Sequence, residues 1–366
     1  MAASVDIAAF APELLAGLPT PCLVVDLAAA DRNIGLAADY FADRRAQLRP
    51  HFKAHKCSRL LARQLAAGAC AGVTCATAGE AEVLARAGFD DILVANQVVD
   101  AAGLGQLAAA AGLARVTACI DDSRHVDRLR AAALRAEVRL GVLVEIDVGM
   151  GRSGLDGGSD ALLPLVSSVA EGEALEFRGL QGYEGHAVLE MERSERARLV
   201  AIAAEILRAE QGRLEAAGYP CELVSGGGTG TFDLADEAGA LTEIQAGSYV
   251  LMDARYALLD LPFETALYCC ATVISRQGER AVLNAGLKAL SAEHGMPRAV
   301  PPGLEIVDLS DEHAHLRLPV SHPLAVGDSV LVVPGHIDPT INLHRSLFVL
   351  TTPETVEEWP IDGRRG

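Results

Sequence analysis

The hydrophobic pattern changes character at about residue 255. From residue 20 to that point, short runs rich in Val, Ile, Leu and Cys alternate with Ala/Leu/Arg/Glu-rich stretches whose apolar residues recur at helical spacing. The strand candidates are 48–54 (LRPHFKA), 72–77 (GVTCAT), 91–96 (DILVAN), 115–121 (RVTACID), 141–147 (GVLVEID), 177–183 (FRGLQGY), 221–227 (CELVSGG) and 241–249 (LTEIQAGSY). Helical stretches, among them 58–67, 78–87, 123–136 and 191–217, fall between them. Eight strands alternating with helices predict an α/β fold, a closed (β/α)8 TIM-like barrel, with an open doubly wound sheet as the competing architecture. The glycine-rich and polar residues follow the ends of these strands, where barrels place their sites, and this favours closure.

Beyond 255 the helical period gives way to β-rich pieces: TALYCCATVIS, RAVLNAG, HAHLRLP, DSVLVVPG and SLFVLTT. Two domains are therefore expected, a barrel over residues 20–255 and an all-β domain over 256–366, with residues 1–19 packed on the latter. The stretch MPRAVPPG (296–303) reads as a loop inside the second domain.

Composition narrows the function. A net charge of −18 with no basic stripe argues against nucleic acid and anionic membrane surfaces. No segment has the length of an uncharged membrane span, and the acidic start lacks the basic region of a signal peptide. Eight scattered cysteines without C-x-x-C spacing predict reduced, buried thiols in a cytoplasmic protein. The adjacent Cys269 and Cys270 would alternate faces of a strand.

Lys53 lies in RPHFKAHK, where strand alternation turns His51 and Lys53 inward. A lysine at a barrel mouth is partly desolvated, which lowers its pKa and prepares the amine for Schiff-base chemistry; a plain surface lysine is the alternative. SGGGTGT (225–231) and QAGSY (245–249) end the seventh and eighth strands, where barrels bind phosphate, although glycine-rich turns also occur without ligands. Arg152, after DVGMG, offers a fork of donors to a phenolate or carboxylate, or else a structural ion pair. Gln181, Tyr183 and His186 end the sixth strand with an amide, a phenol and an imidazole. His336 and Asp338 in GHIDPTINLH share a face if that segment is extended. One imidazole and one carboxylate leave coordination positions open, as a catalytic metal requires. Mn²⁺ or Mg²⁺ suits the oxygen-rich set, and the imidazole also admits Zn²⁺.

Taken together and in this order, these motifs resemble the D-threonine aldolase family and its relatives, the 3-hydroxy-D-aspartate aldolases and the D-serine and 3-hydroxyaspartate dehydratases. These are fold-type III pyridoxal-phosphate enzymes related to alanine racemase. The resemblance runs from TPCLVVDLAAADRNI (20–34) through VEIDVGMGRSG, GLQGYEGH, QAGSYVLMD and LNAGLKALS to PGHIDPTINLH. It implies that Lys53 carries the cofactor, that Arg152, Gln181 and Tyr183 contact it, and that Gly228, Thr229, Gly247 and Ser248 lie by its phosphate. It further implies a divalent metal on His336 and Asp338, a homodimer, and retro-aldol cleavage of a small D-β-hydroxy amino acid to glycine and an aldehyde, with His186 or a metal-bound water as base. Dehydration to ammonia and a keto acid is the alternative, followed by a non-catalytic cofactor-binding regulator. Gln245 stands where racemase-like enzymes carry an arginine, and Asp338 where the dehydratases carry a cysteine. Both departures weigh against those two activities.

Overall fold

The computed structural model describes residues 12–364 apart from 302 and 353. Eight parallel strands form the barrel of the first sheet: Gln47–Leu48, Val73–Cys75, Asp91–Val94, Arg115–Ile120, Leu140–Asp147, Leu175–Gly182, Leu223–Gly226 and Glu243–Ile244, with the short Leu155–Asp156 paired to the end of Leu140–Asp147. The last pairs with the first through Glu243↔Gln47, and bridges Leu48↔Cys70 and His51↔Thr74 join the first to the second. The sheet thus closes on itself, which settles barrel over open sheet. Alternation along the strands sorts the side chains. Leu93, Cys119 and Leu143 cluster inside the barrel, while Ile92, Val94, Val116, Ala118, Val142 and Val144 pack outward in the main core with the helices.

Charged residues close the N-terminal end of the barrel. Arg49, only 1% exposed, lies 2.9 Å from Asp91 Oδ1 and 2.7 Å from Glu243 Oε2, and both carboxylates begin their strands. A buried guanidinium is tolerable only when paired in this way. Function is left to the opposite end.

Two expected strands are shorter than their sequence patterns. The first is regular strand only over Gln47–Leu48; Pro50 has no N–H to donate, and although Arg49 and His51 still bond Ile244 and Ala246, the chain then turns into a 3₁₀ helix at Phe52–Ala54. Lys53 therefore sits on a turn and not on a strand. The eighth ends at Ile244, and Gly247 starts a second 3₁₀ turn, Ser248–Val250.

The second sheet runs in the order Glu305–Leu309, Ala314–Arg317, Arg280–Leu283, Leu267–Gln277, Cys22–Asp26, Ser346–Thr352, Thr355–Pro360, and Ser329–Val333 also pairs with Leu267–Gln277. Residues 22–26 were expected in the barrel but form a middle strand here, antiparallel to Leu267–Gln277 and parallel to Ser346–Thr352. All five side chains of that strand are buried, so its pattern is that of a barrel strand. The stretch 296–303 was expected to be loop throughout, yet Arg298–Ala299 pairs with Ser329–Val333. Cys269 and Cys270 do face opposite ways, into different clusters, and all eight cysteines are free. Leu15 packs with Val24, Tyr268 and Leu331, whereas residues 1–11 lie outside the described part.

A buried polar chain braces the Lys53 turn. His55 Nδ1 accepts the Cys57 N–H at 3.2 Å, so the ring proton resides on Nε2, which donates to Gln64 Oε1 at 2.9 Å. Gln64 Nε2 in turn donates to the Tyr249 hydroxyl at 2.8 Å, linking this turn to Ser248–Val250. Burial pushes the His55 pKa down from 6.5 to about 4. The stabilisation is complete above the unfolded pKa and is lost as pH falls toward the folded one, about 3 kcal/mol in all. In urea unfolding, wild type is expected to lose roughly 2 kcal/mol through this group between pH 7.5 and 5. His55→Gln should lose correspondingly less over the same interval. Identical pH dependence in the two proteins would show that His55 is not held neutral.

Candidate active site

At the C-terminal mouth of the barrel lies a cavity of about 550 Å³. That is the size of small-ligand pockets. Lys53, Arg152, Gln181, Tyr183, Gly228, Thr229, Gly247, Ser248, His336 and Asp338 all line it, so the fold gathers ten of the eleven expected site residues in one place. His186 is the exception. It is exposed, packed beside Gly149 on the rim, and does not line the cavity, although its neighbour Gly185 does.

Lys53 enters from the 3₁₀ turn with its side chain 38% exposed, and its Nζ is 3.3 Å from Asp338 Oδ2. The Asp338 carboxylate raises the Lys53 pKa, outweighing burial, and Tyr183 adds to the rise. The expected lowering is therefore overturned: desolvation acts, but an opposite charge within reach acts more strongly. His51, beside Lys53, is driven well below its ordinary value by burial and then by the lysine charge, so it is neutral at pH 7. Its Nδ1 is buried without a partner. Burial raises the Tyr183 pKa, and the Arg152 guanidinium lies 5.5 Å from the centre of that ring. Arg152 Nη2 is also 3.7 Å from Glu145 Oε1, which in turn accepts through its other oxygen from Gln97 at 2.5 Å.

The glycine segments are shaped by what crowds them. A Cβ on Gly230 would fall 1.8 Å from the Val188 carbonyl oxygen, and one on Gly247 would fall 2.6 Å from that of His51. Glu184 ties the sixth and seventh strand ends together by accepting from Thr231 Oγ1 at 2.6 Å and Gly227 N–H at 3.2 Å. Thr229 Oγ1 accepts the Tyr249 N–H at 3.0 Å and joins the eighth. The Ser248–Val250 turn has Gly247 as its N-cap; Thr229 takes the Tyr249 N–H and the Gly247 carbonyl the Val250 N–H, which leaves the Ser248 N–H for an anion. At the cavity floor Gln245 Nε2 donates to Gln181 Oε1 at 3.0 Å and Ser225 Oγ at 2.8 Å, leaving its Oε1 as an acceptor and presenting no cation. A lysine amine at the mouth, a stack of Arg152 on Tyr183 and an open N–H group opposite suit pyridoxal phosphate.

The second sheet contributes an arm. His336 is extended (φ −147°, ψ 127°) and caps the helix Ile337–Leu343, so Asp338 lies in the first helical turn and not, as expected, in an extended run. Asp253, fully buried, fixes this start by accepting from Ile337 N–H at 3.1 Å and Tyr256 N–H at 2.8 Å. Thr340 Oγ1 donates to the His336 carbonyl at 2.7 Å and accepts from Ser291 N–H at 3.0 Å. That bond draws the 291–295 loop onto the arm. His336 Nδ1 then meets Glu293 Oε2 at 2.7 Å, and the His336 and His294 rings lie 4.0 Å apart. Asp338 Oδ1 is buried without a hydrogen-bond partner, an oxygen that suits a cation.

Sequence reasoning did not single out Asp253, Glu293 or His294. Asp253 ends the QAGSYVLMD motif, but its role depends on a helix more than eighty residues away. The two others sit in AEHG beside the proline-rich stretch, with no spacing that signals a ligand.

The family description "Alanine racemase, N-terminal domain" matches residues 25–255, and a serine dehydratase domain matches 266–350. The chain is 38% identical over 359 residues to the D-threonine aldolase of Arthrobacter sp, covering 96% of this chain and 94% of that one. It is 36% identical over 361 residues to the 3-hydroxy-D-aspartate aldolase of Paracoccus denitrificans (strain Pd 1222), covering 95% and 92%. The crystal structure of D-threonine aldolase from Filomicrobium marinum superposes with a TM-score of 0.92 at 38% identity, covering 96% and 97%. The similarity runs along essentially the whole chain, barrel and β-domain alike: the protein belongs to the family of D-threonine and 3-hydroxy-D-aspartate aldolases, on the alanine racemase-like, fold-type III pyridoxal-phosphate scaffold.

Proposed function

We propose that this protein is a lyase that cleaves D-β-hydroxy amino acids, of the D-threonine or 3-hydroxy-D-aspartate type, to glycine and an aldehyde, with pyridoxal phosphate and a divalent metal. One observation carries the reading: the Lys53 amine and the Asp338 carboxylate, from different sheets, stand 3.3 Å apart in one cavity with His336. An amine for the cofactor and an open ligand set for a cation are thus within one small substrate's length. When bound, pyridoxal phosphate supplies the sink for the electron pair of the broken Cα–Cβ bond, and the metal acidifies the β-hydroxyl.

The chain's own residues do the rest. Lys53 holds the cofactor covalently. Arg152, Tyr183 and Gln181 would contact its ring, and Gly228, Thr229, Gly247 and Ser248 would receive its phosphate. His336 and Asp338 hold the metal, for which Mn²⁺ or Mg²⁺ is favoured and Zn²⁺ remains compatible. His186, on the rim, takes the hydroxyl proton from the solvent side once substrate fills the mouth. Eight free thiols suit a reducing compartment, the cytoplasm, and the scaffold resemblance supports a homodimer. No helix among the described residues is long and apolar enough to cross a membrane.

The test is product analysis on a panel of D- and L-β-hydroxy amino acids. Glycine with an equimolar aldehyde is expected from the D-isomers alone. Ammonia with a keto acid would instead assign a dehydratase.

A further inference from the structure

We propose that His294 is a third protein ligand of the metal, so that the ion is held by His294, His336 and Asp338 and not by the last two alone. This deepens the reading above and rests on it. One donor atom from each of Glu293, His294 and His336 lies within 4.8 Å of the other two. Two donors bound to one ion at about 2.1 Å each are at most about 4.2 Å apart, so the two imidazoles need only a small adjustment to share an ion, whereas Asp338, which lies outside that group, joins them by turning its carboxylate away from Lys53. His294, His336 and Asp338 all face the cavity. The Asp338 Oδ1 is buried and unpartnered, and its Oδ2 lies 3.3 Å from Lys53 Nζ.

Glu293 has a different part. Its carboxylate, 59% exposed, can only accept from His336 Nδ1 at 2.7 Å, so the His336 proton is on Nδ1 and the Nε2 lone pair is free. A carboxylate behind a ligating imidazole is the usual means of fixing such a tautomer. Glu293 is therefore the positioning residue and His294 the ligand. The bond from Ser291 N–H to Thr340 Oγ1 supports this arrangement by anchoring the loop beside the helix that carries Asp338.

Adding the His294 imidazole to His336 and Asp338 shifts the preference, which the two ligands alone leave between Mn²⁺ and Mg²⁺, toward the transition ion, because Mg²⁺ takes oxygen ligands almost exclusively. The consequence can be measured without turnover. Pyridoxal-phosphate-loaded protein, stripped with a chelator, would be titrated with MnCl₂ while free Mn²⁺ is followed by electron paramagnetic resonance, and separately with MgCl₂ by calorimetry. His294→Ala and His294→Gln are expected to weaken Mn²⁺ binding on the order of 10- to 100-fold and Mg²⁺ binding far less. His336→Ala is expected to weaken both. Unchanged Mn²⁺ affinity in both His294 variants, with loss in His336→Ala, would overturn the third ligand and leave the proposed function standing. If His336→Ala also bound Mn²⁺ as wild type does, the metal site itself would be misplaced. Thermal melts of the variants check the fold, and a variant that melts early is replaced by the other substitution.

Discussion

Replacing Lys53 with alanine is expected to abolish the visible absorbance of lysine-bound pyridoxal phosphate and to lower kcat/KM about 10⁴-fold or more, some 5.5 kcal/mol of transition-state stabilisation. The size of the effect follows from the cavity. Among the described residues that line it, Lys53 is the sole lysine, and no other amine there could take over. Lys56, three residues on, gives the contrast. Its Nζ is 2.9 Å from Asn342 Oδ1 and 3.2 Å from Glu80 Oε1, turned away from the cavity into a buried ion pair. Lys56→Met should therefore keep the absorbance band while losing about 3–5 kcal/mol of stability, because Glu80 would be left buried and unpaired. The two lysines are separated by spectrum and by melt. A Lys53→Ala protein that retains the band, or a Lys56→Met protein that loses it while folded, would reverse the assignment.

Chelation, or Asp338→Ala, is expected to lower the cleavage rate by at least about 10³-fold, roughly 4 kcal/mol, with the cofactor band preserved. The β-hydroxyl must lose its proton as the Cα–Cβ bond breaks, and the described residues lining the cavity offer no strong base for it: burial lowers the pKa of His51 and of His294, which makes both imidazoles weak bases, and it raises Tyr183, whose phenol keeps its proton. A cation on Asp338 and His336 would acidify the hydroxyl enough for a weak base such as His186 to suffice. Added Mn²⁺ or Mg²⁺ should restore chelated wild type and not the variant. Because at most a few side chains hold the ion, the chelated protein should melt close to wild type. Full cleavage by protein shown to be metal-free by elemental analysis would require a metal-independent reaction. Loss of the band on chelation would mean that the ion supports the cofactor and not the hydroxyl.

Much of the molecule was legible because its signals are local and periodic. Buried strands flanked by glycine and by helical repeats announce a barrel, and the alternation of Cys269 and Cys270 announces a strand with two packed faces. The residues around the cofactor cradle were likewise visible as motifs at strand ends.

What the sequence by itself determined was therefore the set of elements, the end of the barrel that carries chemistry, and the identity of Lys53, His336 and Asp338 as its candidates. Tertiary structure decided how those groups act on one another. The Lys53 pKa moves up and not down because Asp338, 285 positions away in the chain, arrives at 3.3 Å. Residues 22–26 leave the barrel because their ladder partners are 267–270 and 347–350. His186 stays on the rim, and Glu293 and His294 come to His336 through the bond between Ser291 and Thr340. Periodicity reports which face of an element is buried, but the Coulomb energy of a charged pair depends on separation in space, and that distance exists only once the two sheets have packed.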